Sequence, residues 1–276
     1  MGEDLAMPEE TAQGARPADL LLTAMGAFFM IRPSVEVPTE TLIDILGRLG
    51  VAEYAARATC NRMVDRGLLQ RRREGRRAVY SLTAGSRRLI EDGTPRIVDF
   101  EPCRTDWDAT WTLLSFSIPE ARRAKRHQLR VRLAWRGFGR LRDGVWLAPG
   151  PVAVRGLLAE LGLDRHARAF VGAAIDPTDL DEVIHSAWDV EALVEGYTAF
   201  ARRWNGGYAD GLADDLVRVT RLLTEWRLVI RDDPRLPCEL LPEGWPGLDA
   251  NETFRRLYRR YDPPAQALFD AALAEV

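Results

Sequence analysis

Apolar positions in the first hundred residues repeat with the period of an α-helix in three places. An apolar run predicts a first helix over Ala18–Met30, and a second follows over Thr39–Leu49. Gly50 interrupts the pattern, which resumes as a third helix over Ala52–Asp65 and ends at Gly67. Three short helices in succession therefore open the chain.

The third predicted helix has two faces of different chemistry. Ala56, Cys60 and Met63 form an apolar stripe that can pack on the second helix. The opposite face contains Tyr54, Arg57, Ala58 and Asn61 at helical spacing. One face therefore belongs to a core, and the other is available to a partner.

A basic hairpin follows these helices, with strands predicted near Leu68–Arg73 and Arg77–Leu82 around a turn at Glu74-Gly75. Three helices followed by a hairpin are typical of a winged helix-turn-helix, whose bend would lie at Gly50. Thr83 can cap a further short helix, and residues 92–95 are expected to close this unit.

In the middle of the chain, segments with the apolar spacing of a helix alternate with segments that have the spacing of a strand, in a recognisable order. Strand, helix, strand, strand, helix and strand are predicted at residues 110–118, 120–136, 138–141, 144–148, 151–161 and 167–174. The order βαββαβ is the ferredoxin-like arrangement.

The remaining sequence is mainly helical, with helices predicted near residues 187–204, 212–230 and 251–275. A proline-rich segment, residues 233–247, separates the last two helices and is expected to be irregular. The predicted fold class is α+β. The predicted divisions are a disordered tail (1–17), a winged helix-turn-helix (18–97), a ferredoxin-like middle domain (104–180) and an all-helical C-terminal domain (185–276).

Charge adds information through its distribution. The formal net charge is only -3, but eight arginines oppose Asp65 and Glu74 between Arg57 and Arg77. Such a concentrated basic segment is typical of a phosphate-binding surface. The chain has no long apolar run and no basic segment before an apolar stretch at its start. Neither membrane insertion nor secretion is predicted, and a cytoplasmic location is expected.

Candidate residues for chemistry are sparse. Cys60, Cys103 and Cys238 are far apart, so neither a disulfide framework nor a structural zinc site is expected. The three histidines, His127, His166 and His185, lack the spacing of metal ligands. Nucleophile-elbow and phosphate-loop motifs are absent from suitable contexts. We therefore expect no catalytic residues, no metal and no cofactor, and a protein that is not an enzyme.

Three ordered blocks of sequence resemble the PaaX family of bacterial transcriptional repressors. They are GLLQRRREGRRAVYSLT (67–83), WDATWTLLSFSIPE (107–120) with RGFGRLRDGVWLAP (136–149), and TEWRLVIRDDPRLPCELLPEGWPG (224–247). The resemblance implies a homodimeric repressor of double-stranded operator DNA, with a winged helix, a Cas2-like ferredoxin middle domain and a helical C-terminal domain. It also implies release by a small effector, which is phenylacetyl-coenzyme A in the family's namesake and here an aryl- or acyl-coenzyme A thioester.

Two positions depart from the family pattern. Thr224 stands where the family often has histidine, which leaves the identity of the effector open. Ser117 stands where the family usually has aspartate, at the end of the first middle-domain strand.

The candidate DNA-binding residues lie on the third helix and the hairpin. Side chains alternate faces along a strand, so the hairpin arginines cannot all face DNA, and those beside the turn are favoured. The alternative interpretation is that the third helix and the hairpin each present only a solvated polar face and do not bind DNA. The candidates are Tyr54, Arg57, Ala58, Asn61 and Arg62 on the helix, and Arg71, Arg73, Arg76 and Arg77 on the hairpin.

Candidate effector-binding residues are fewer and come from two regions. Arg126 and Arg130 lie on a basic middle-domain helix that could equally contact DNA flanks, a partner subunit or solvent. Trp226 and Arg227 are the other two candidates. The tryptophans of the C-terminal region could line an aromatic pocket, although tryptophans in helical domains more often belong to the core.

A metal-dependent nuclease is the rival hypothesis, because the middle domain is expected to be Cas2-like. Such a site needs carboxylates at the end of the first strand to hold a divalent cation. Ser117 occupies that place without a charge, while Asp106 and Asp108 precede the strand. The sequence therefore disfavours this alternative.

Overall fold

The computed structural model describes residues 15–32, 35–75 and 77–274, except for the side chain of Asp92. The α-helices are α1 (Pro17–Ala24), α2 (Thr39–Arg48), α3 (Glu53–Asp65), α4 (Ala84–Val98), α5 (Arg123–Ala134), α6 (Arg155–Leu161), α7 (Leu180–Ala187), α8 (Val190–Asn205), α9 (Asp215–Ile230) and α10 (Pro246–Ala274). The strands are β1 (Val37–Pro38), β2 (Leu69–Glu74), β3 (Arg77–Leu82), β4 (Thr110–Phe116), β5 (Gly139–Arg142), β6 (Val145–Pro149) and β7 (Ala167–Ala173).

Contacts divide the described chain into two compact units, and neither unit is one continuous segment. The first contains the described residues of Met1–Phe100, Trp204–Leu228 and Phe254–Val276, and the second contains Glu101–Arg203 and Val229–Thr253. The C-terminal helices thus contribute residues to both units. The domain boundaries expected from the sequence remain a prediction.

The first unit contains α1, α2 and α3 beside a small antiparallel sheet of order β1-β3-β2. Leu42, Ile45 and Leu46 of α2 are buried, as their helical spacing predicts. Gly50 adopts a φ of +86° between α2 and α3, a conformation in which an L side chain would be strained. The predicted helix over 18–30 is present, but its second half is a π-helical segment, Met25–Phe29.

Helix α4 is longer than the sequence suggested. Residues 92–95 were expected to close this part of the chain, but α4 runs through Pro95 to Val98. A single proline removes only one helical N–H donor, and the last turn is held by a distant residue. The indole nitrogen of Trp226 donates to the backbone oxygen of Ile97 at 3.0 Å. Because Trp226 and Ile97 are 129 positions apart in sequence, no local pattern predicts this contact.

The C-terminal helices complete the core of the first unit. Trp226 of α9 is fully buried and stacks on Phe254 of α10, with ring centroids 4.8 Å apart. Phe28 stacks on Phe269 of α10 at 5.1 Å. These aromatic contacts bury large surfaces, so the C-terminal residues stabilise the N-terminal helices.

The second unit contains a four-stranded antiparallel sheet of order β5-β6-β4-β7. The order of its elements is βαββαβ, and this confirms the predicted ferredoxin-like arrangement. Helices α5 and α6 cover one face of the sheet. Their buried core includes Leu114, Phe116, Leu129, Leu133, Trp146, Leu157 and Leu161.

Helix α7 lies beside β5 and was not predicted as a separate helix. Asp179 caps its first turn, where the carboxylate accepts from the backbone nitrogens of Asp181 and Glu182. The indole of Trp188 packs so closely over Gly139 that a Cβ there would come within 2.5 Å of the ring. Glycine at this position therefore permits the edge of the sheet to be covered.

The expectation of no disulfide is wrong. Cys103 and Cys238, separated by 135 positions in sequence, are bonded to each other in the second unit. The proline-rich segment lies beside the start of the middle region, where the backbone nitrogen of Arg104 donates to the oxygen of Leu236 at 3.1 Å. This packing brings the two cysteines together, and sequence spacing gave no sign of it. Cys60 is free and buried.

Candidate nucleic-acid interface

Helix α3 presents a polar face opposite its buried stripe. Ala56, Cys60 and Met63 are buried in the first unit, as predicted. Burial raises the pKa of the Cys60 thiol to about 11, so this cysteine is a neutral core residue. The opposite face contains the exposed residues Tyr54, Arg57 and Asn61 and the half-buried Ala58.

Tyr54 is the most prominent side chain on this face. It is 81% exposed, more than any other large apolar or aromatic residue among the described positions. An exposed aromatic ring beside arginine and asparagine can contact bases and sugars. The face therefore combines apolar contact with donors and acceptors of hydrogen bonds.

The arginines of α3 are held by short-range contacts. The Nε of Arg57 donates to the carboxylate of Glu53 at 3.0 Å, one helical turn away. Arg62 donates to the hydroxyl of Thr59 at 2.8 Å. Both partners lie on the same helix, and the Arg57–Glu53 pair is exposed on both sides, so it contributes little to stability. Such a guanidinium can exchange its carboxylate for a base or a phosphate.

The turn before α3 is supported by α9. Arg221 donates to the backbone oxygen of Leu49 at 2.5 Å, and the side chain of Arg48 contacts Asp214 at 3.2 Å. Sequence reasoning missed Arg221, because its partner lies 172 positions away and no local pattern points to it. These contacts fix the end of α2 and with it the direction of α3.

The two faces of the hairpin differ in their arginines. Arg71 lies opposite Tyr80 and Arg73 opposite Ala78, so these two share one face. Arg72 points to the other face, where two of its nitrogens bind the carboxylate of Glu36. The hydrogen bond from Arg72 lowers the pKa of Glu36, which stays ionised.

Alternation thus separates the hairpin candidates, as the sequence predicted. Arg77 lies opposite Glu74, on the face of Arg72. Arg76 lies outside the described residues. Arg71 and Arg73 are exposed candidates that share a face, and Arg72 is occupied by Glu36.

The four candidate effector-binding residues come from both units. Arg126 and Arg130 belong to the second unit, whereas Trp226 and Arg227 belong to the first. Arg126 contacts Glu120 at 2.7 Å, Arg130 contacts Asp143 at 3.1 Å and Arg227 contacts Asp19 at 3.1 Å.

The candidate Trp226 and the nearby Thr224 are both part of the core. Trp226 is fully buried, with its indole nitrogen bonded to a backbone oxygen. Thr224, which replaces a histidine common in the family, is buried and donates to the oxygen of Thr220 on its own helix at 2.7 Å. Both residues therefore have structural roles in α9.

The rival nuclease hypothesis gains no support from the middle domain. Ser117 is exposed at the end of β4, and Asp106 contacts Arg104 at 3.4 Å. Asp108 accepts hydrogen bonds from the hydroxyl and the backbone of Thr110, and these bonds lower its pKa. Across the described residues, no three potential metal ligands among His, Cys, Asp and Glu lie together. Nor is any helix in these ranges long and apolar enough to cross a membrane.

Comparison with known proteins gives matches along most of the chain. A model described as PaaX-like protein matches residues 16–86. The PaaX protein central Cas2-like domain matches residues 104–184, and the PaaX-like protein C-terminal domain matches residues 188–271.

One curated relative and one solved structure are also similar. Transcriptional repressor PaaX of Escherichia coli (strain K12) is 28% identical over 246 residues, which cover 84% of this chain and 76% of the repressor. The uncharacterized protein Rv0674 from Mycobacterium tuberculosis is 24% identical, with a TM-score of 0.59 over 91% of this chain and 99% of that one. The second likeness supports the fold alone.

By its fold and by these matches, the chain is an α+β transcriptional regulator with a Cas2-like central domain and a helical C-terminal region. The chain belongs to the PaaX family.

Proposed function

We propose that this chain is a DNA-binding transcriptional repressor whose first unit contains a winged helix-turn-helix. The exposed polar face of α3 beside an arginine-rich hairpin is the observation on which this proposal rests. The similarity to the Escherichia coli repressor supports the same function. In this family of folds the second helix of the pair enters the major groove, and α3 takes that place here.

The proposed contacts divide between bases and phosphates. Arg57 and Asn61 have the side chains that bind guanine and adenine edges in pairs of hydrogen bonds. Arg62 and Tyr54 extend the same surface. Ala58 lies between them on the helix, and its small side chain allows DNA to approach closely. On the hairpin, Arg71 and Arg73, which share a face, are proposed to bind phosphates. Arg77, on the opposite face, and Arg76 are kept as candidates because they lie beside the turn.

The proposed assembly is a homodimer on an inverted repeat. A single winged helix covers few base pairs, and two half-sites one helical turn apart give the specificity that one lacks. A symmetric pair of α3 helices would match a symmetric operator. Acting on chromosomal DNA, such a repressor would be located in the cytoplasm.

The proposed control is release by a small effector, with an aryl- or acyl-coenzyme A thioester as the class to test. A ligand that weakens operator binding must itself bind less tightly to the operator complex, by the same factor. A thermal-shift comparison of phenylacetyl-coenzyme A with coenzyme A alone tests this class, because a ligand that binds only the folded chain raises its melting temperature. Equal shifts for both compounds would leave the acyl group without a role.

The DNA-binding proposal is tested by selecting a preferred duplex with the full chain and then measuring affinity for that duplex and for random DNA. Asn61→Ala and Arg57→Ala should each lose about 1–3 kcal/mol on the selected duplex and little on random DNA. Arg259→Ala, an exposed arginine on α10, is the matched control and should change neither affinity. Equal losses on both DNAs would show that α3 does not distinguish sequence.

A further inference from the structure

A cavity of about 220 Å³ lies in the first unit, at the beginning of α9. Residues from three elements line it: a short 3-10 helix before α9 (Tyr208–Gly211), the first turn of α9, and α10. The lining residues of this α9 cavity are Asp210, Asp215, Arg218, Arg260 and Tyr261. Two arginines and two aspartates therefore surround one aromatic ring.

Tyr261 is the aromatic residue of the α9 cavity, and both arginines contact its ring. The guanidinium carbon of Arg218 lies 5.7 Å from the ring centroid, and that of Arg260 lies 5.4 Å from it. Tyr261 is buried, so the core of the unit fixes its ring. These cation–π contacts limit the positions that the two guanidinium groups can take.

Arg218 forms one wall of the cavity, and its guanidinium is occupied by the protein. It donates to the backbone oxygens of Ala209 at 2.9 Å and Leu212 at 3.0 Å, and to the carboxylate of Asp215 at 2.7 Å. These bonds join the segment before α9 to the first turn of the helix. The shape of the cavity is therefore determined by contacts within the fold.

Arg260 and Asp210 differ from this pair because their charges have no protein partner. Within the described part of the chain, neither the guanidinium of Arg260 nor the carboxylate of Asp210 forms a hydrogen bond or an ion pair. Both residues are exposed, so a molecule from solution can reach them. A positive group and a negative group are thus both available at one cavity.

The charges around the cavity select the class of ligand. A simple anion is attracted by Arg260 but repelled by Asp210 and Asp215, and a simple cation meets the reverse. A molecule that carries both charges can form charge-assisted hydrogen bonds with both groups. A free α-amino acid has this chemistry.

The size of the cavity agrees with a small ligand. Drug-sized ligands occupy pockets of ~300–1,000 Å³, whereas the α9 cavity has a volume of about 220 Å³. Tyr261 is the single aromatic residue of its lining, and the other four residues are charged. A coenzyme A thioester, with its several phosphates, fits neither this volume nor these charges.

We propose that the α9 cavity binds a free α-amino acid in its zwitterionic form. Arg260 donates to the carboxylate of the ligand, and Asp210 accepts from its ammonium group. The ring of Tyr261 packs against the carbon atoms between these two groups.

The position of the cavity connects such a ligand to the proposed recognition helix. Arg218 precedes Arg221 by three positions on α9, and Arg221 donates to the backbone oxygen of Leu49 before α3. Asp214, just before α9, contacts Arg48 of α2 at 3.2 Å. A ligand that binds this arrangement stabilises it and should strengthen operator binding, as a corepressor does. This regulatory step rests on the repressor function proposed above.

The first experiment measures ligand binding in the absence of DNA. The full chain is titrated calorimetrically with each standard amino acid at up to ~10 mM, where a millimolar ligand is still bound. The amino acid that binds most tightly is compared with the carboxylic acid that lacks its amino group and the amine that lacks its carboxylate. Each analogue should bind at least ~10-fold more weakly, because one charge-assisted bond is lost. Binding of no amino acid, or equal binding of an analogue, would contradict the proposal.

Variants of the full chain test the two charged groups. Arg260→Gln and Asp210→Asn should each raise the dissociation constant of the amino acid at least ~10-fold. Both residues are exposed, so the variants should fold as wild type does, which circular dichroism verifies. Arg259→Gln is the matched control, because Arg259 is exposed on α10 and donates to the backbone oxygen of Arg255. Unchanged affinity in both cavity variants, or an equal loss in the control, would place the ligand elsewhere.

A second experiment measures affinity for the selected duplex with and without the amino acid. The ligand should tighten duplex binding at least ~5-fold in wild type and in Arg259→Gln, but not in Arg260→Gln. Unchanged or weaker duplex binding by the liganded wild type would overturn the corepressor role. A chain that binds the amino acid but no duplex would instead refute the repressor function, since the cavity is tested without DNA.

Discussion

Arg221 of α9 donates a hydrogen bond of 2.5 Å to the backbone oxygen of Leu49, at the turn between α2 and α3. The bond joins the C-terminal part of the first unit to the turn that orients the proposed recognition helix. Leu49 is buried, so its carbonyl has little access to water. A change on α9 can therefore reach the proposed DNA-binding surface within one unit.

Replacing Arg221 with alanine should weaken both folding and DNA binding. Loss of a hydrogen bond from a charged donor lowers the free energy of unfolding by about 1.5–3 kcal/mol, as measured by urea denaturation. Affinity for the selected duplex should fall because the end of α2 is less well fixed. Arg221→Met retains the aliphatic part of the side chain and is the control. If the methionine variant behaves as wild type, the guanidinium bond has no such role.

The hairpin arginines should differ according to the face that each occupies. Each phosphate contact contributes about 0.9 to the slope of log affinity against log salt concentration. Arg73→Ala should reduce that slope by about one per subunit on any DNA. Arg72→Ala should reduce the slope less, since Arg72 lies on the opposite face of the hairpin and two of its nitrogens bind Glu36. The measurement is a salt titration with random duplex, and equal slopes for both variants would remove the distinction between the two faces.

Burial of Asp233 predicts a dependence of stability on pH. Burial raises the pKa of Asp233 from 3.8 to about 6, and the hydroxyl of Tyr197 bonds to the same carboxyl group. The folded chain therefore retains a proton that the unfolded chain has lost, and folding stability falls as pH rises from about 4 to about 6. The whole loss amounts to about 3 kcal/mol at most, and it persists above that range.

Asp233→Asn removes the ionisable group and tests this dependence. The free energy of unfolding of this variant should fall less than that of wild type between pH 4 and pH 6. Asp232→Asn is the matched control, because Asp232 is an exposed neighbour bound to Arg231. An unchanged pH profile in Asp233→Asn would show that this carboxyl does not titrate in that window.

The bond between Cys103 and Cys238 should contribute to stability under oxidising conditions. It closes a loop of 135 positions, and disulfides typically raise the free energy of unfolding by about 2–4 kcal/mol. The melting temperature of wild type should fall on addition of reductant, while that of Cys238→Ser should not change. Thiol titration of the denatured, unreduced chain should detect one free cysteine, Cys60. Three free thiols would show that the bond does not form in solution.

The sequence by itself determined the local elements and their order. Apolar spacing predicted α2 and α3, and alternation around Glu74-Gly75 predicted the hairpin, because these elements depend on neighbours within one or two turns of chain. The same spacing distinguished the buried stripe of α3 from its polar face. The order βαββαβ followed from the same local signals and was sufficient to predict the ferredoxin-like sheet.

The tertiary structure alone decided which distant residues meet. Trp226, a candidate for an effector pocket, is a core residue because Ile97, Phe100 and Phe254 surround it. Arg72 is bound to Glu36, and Cys103 to Cys238, because the fold brings together segments that sequence separates. Periodicity shows which face of an element is buried, but the partner across that face depends on the path of the whole chain.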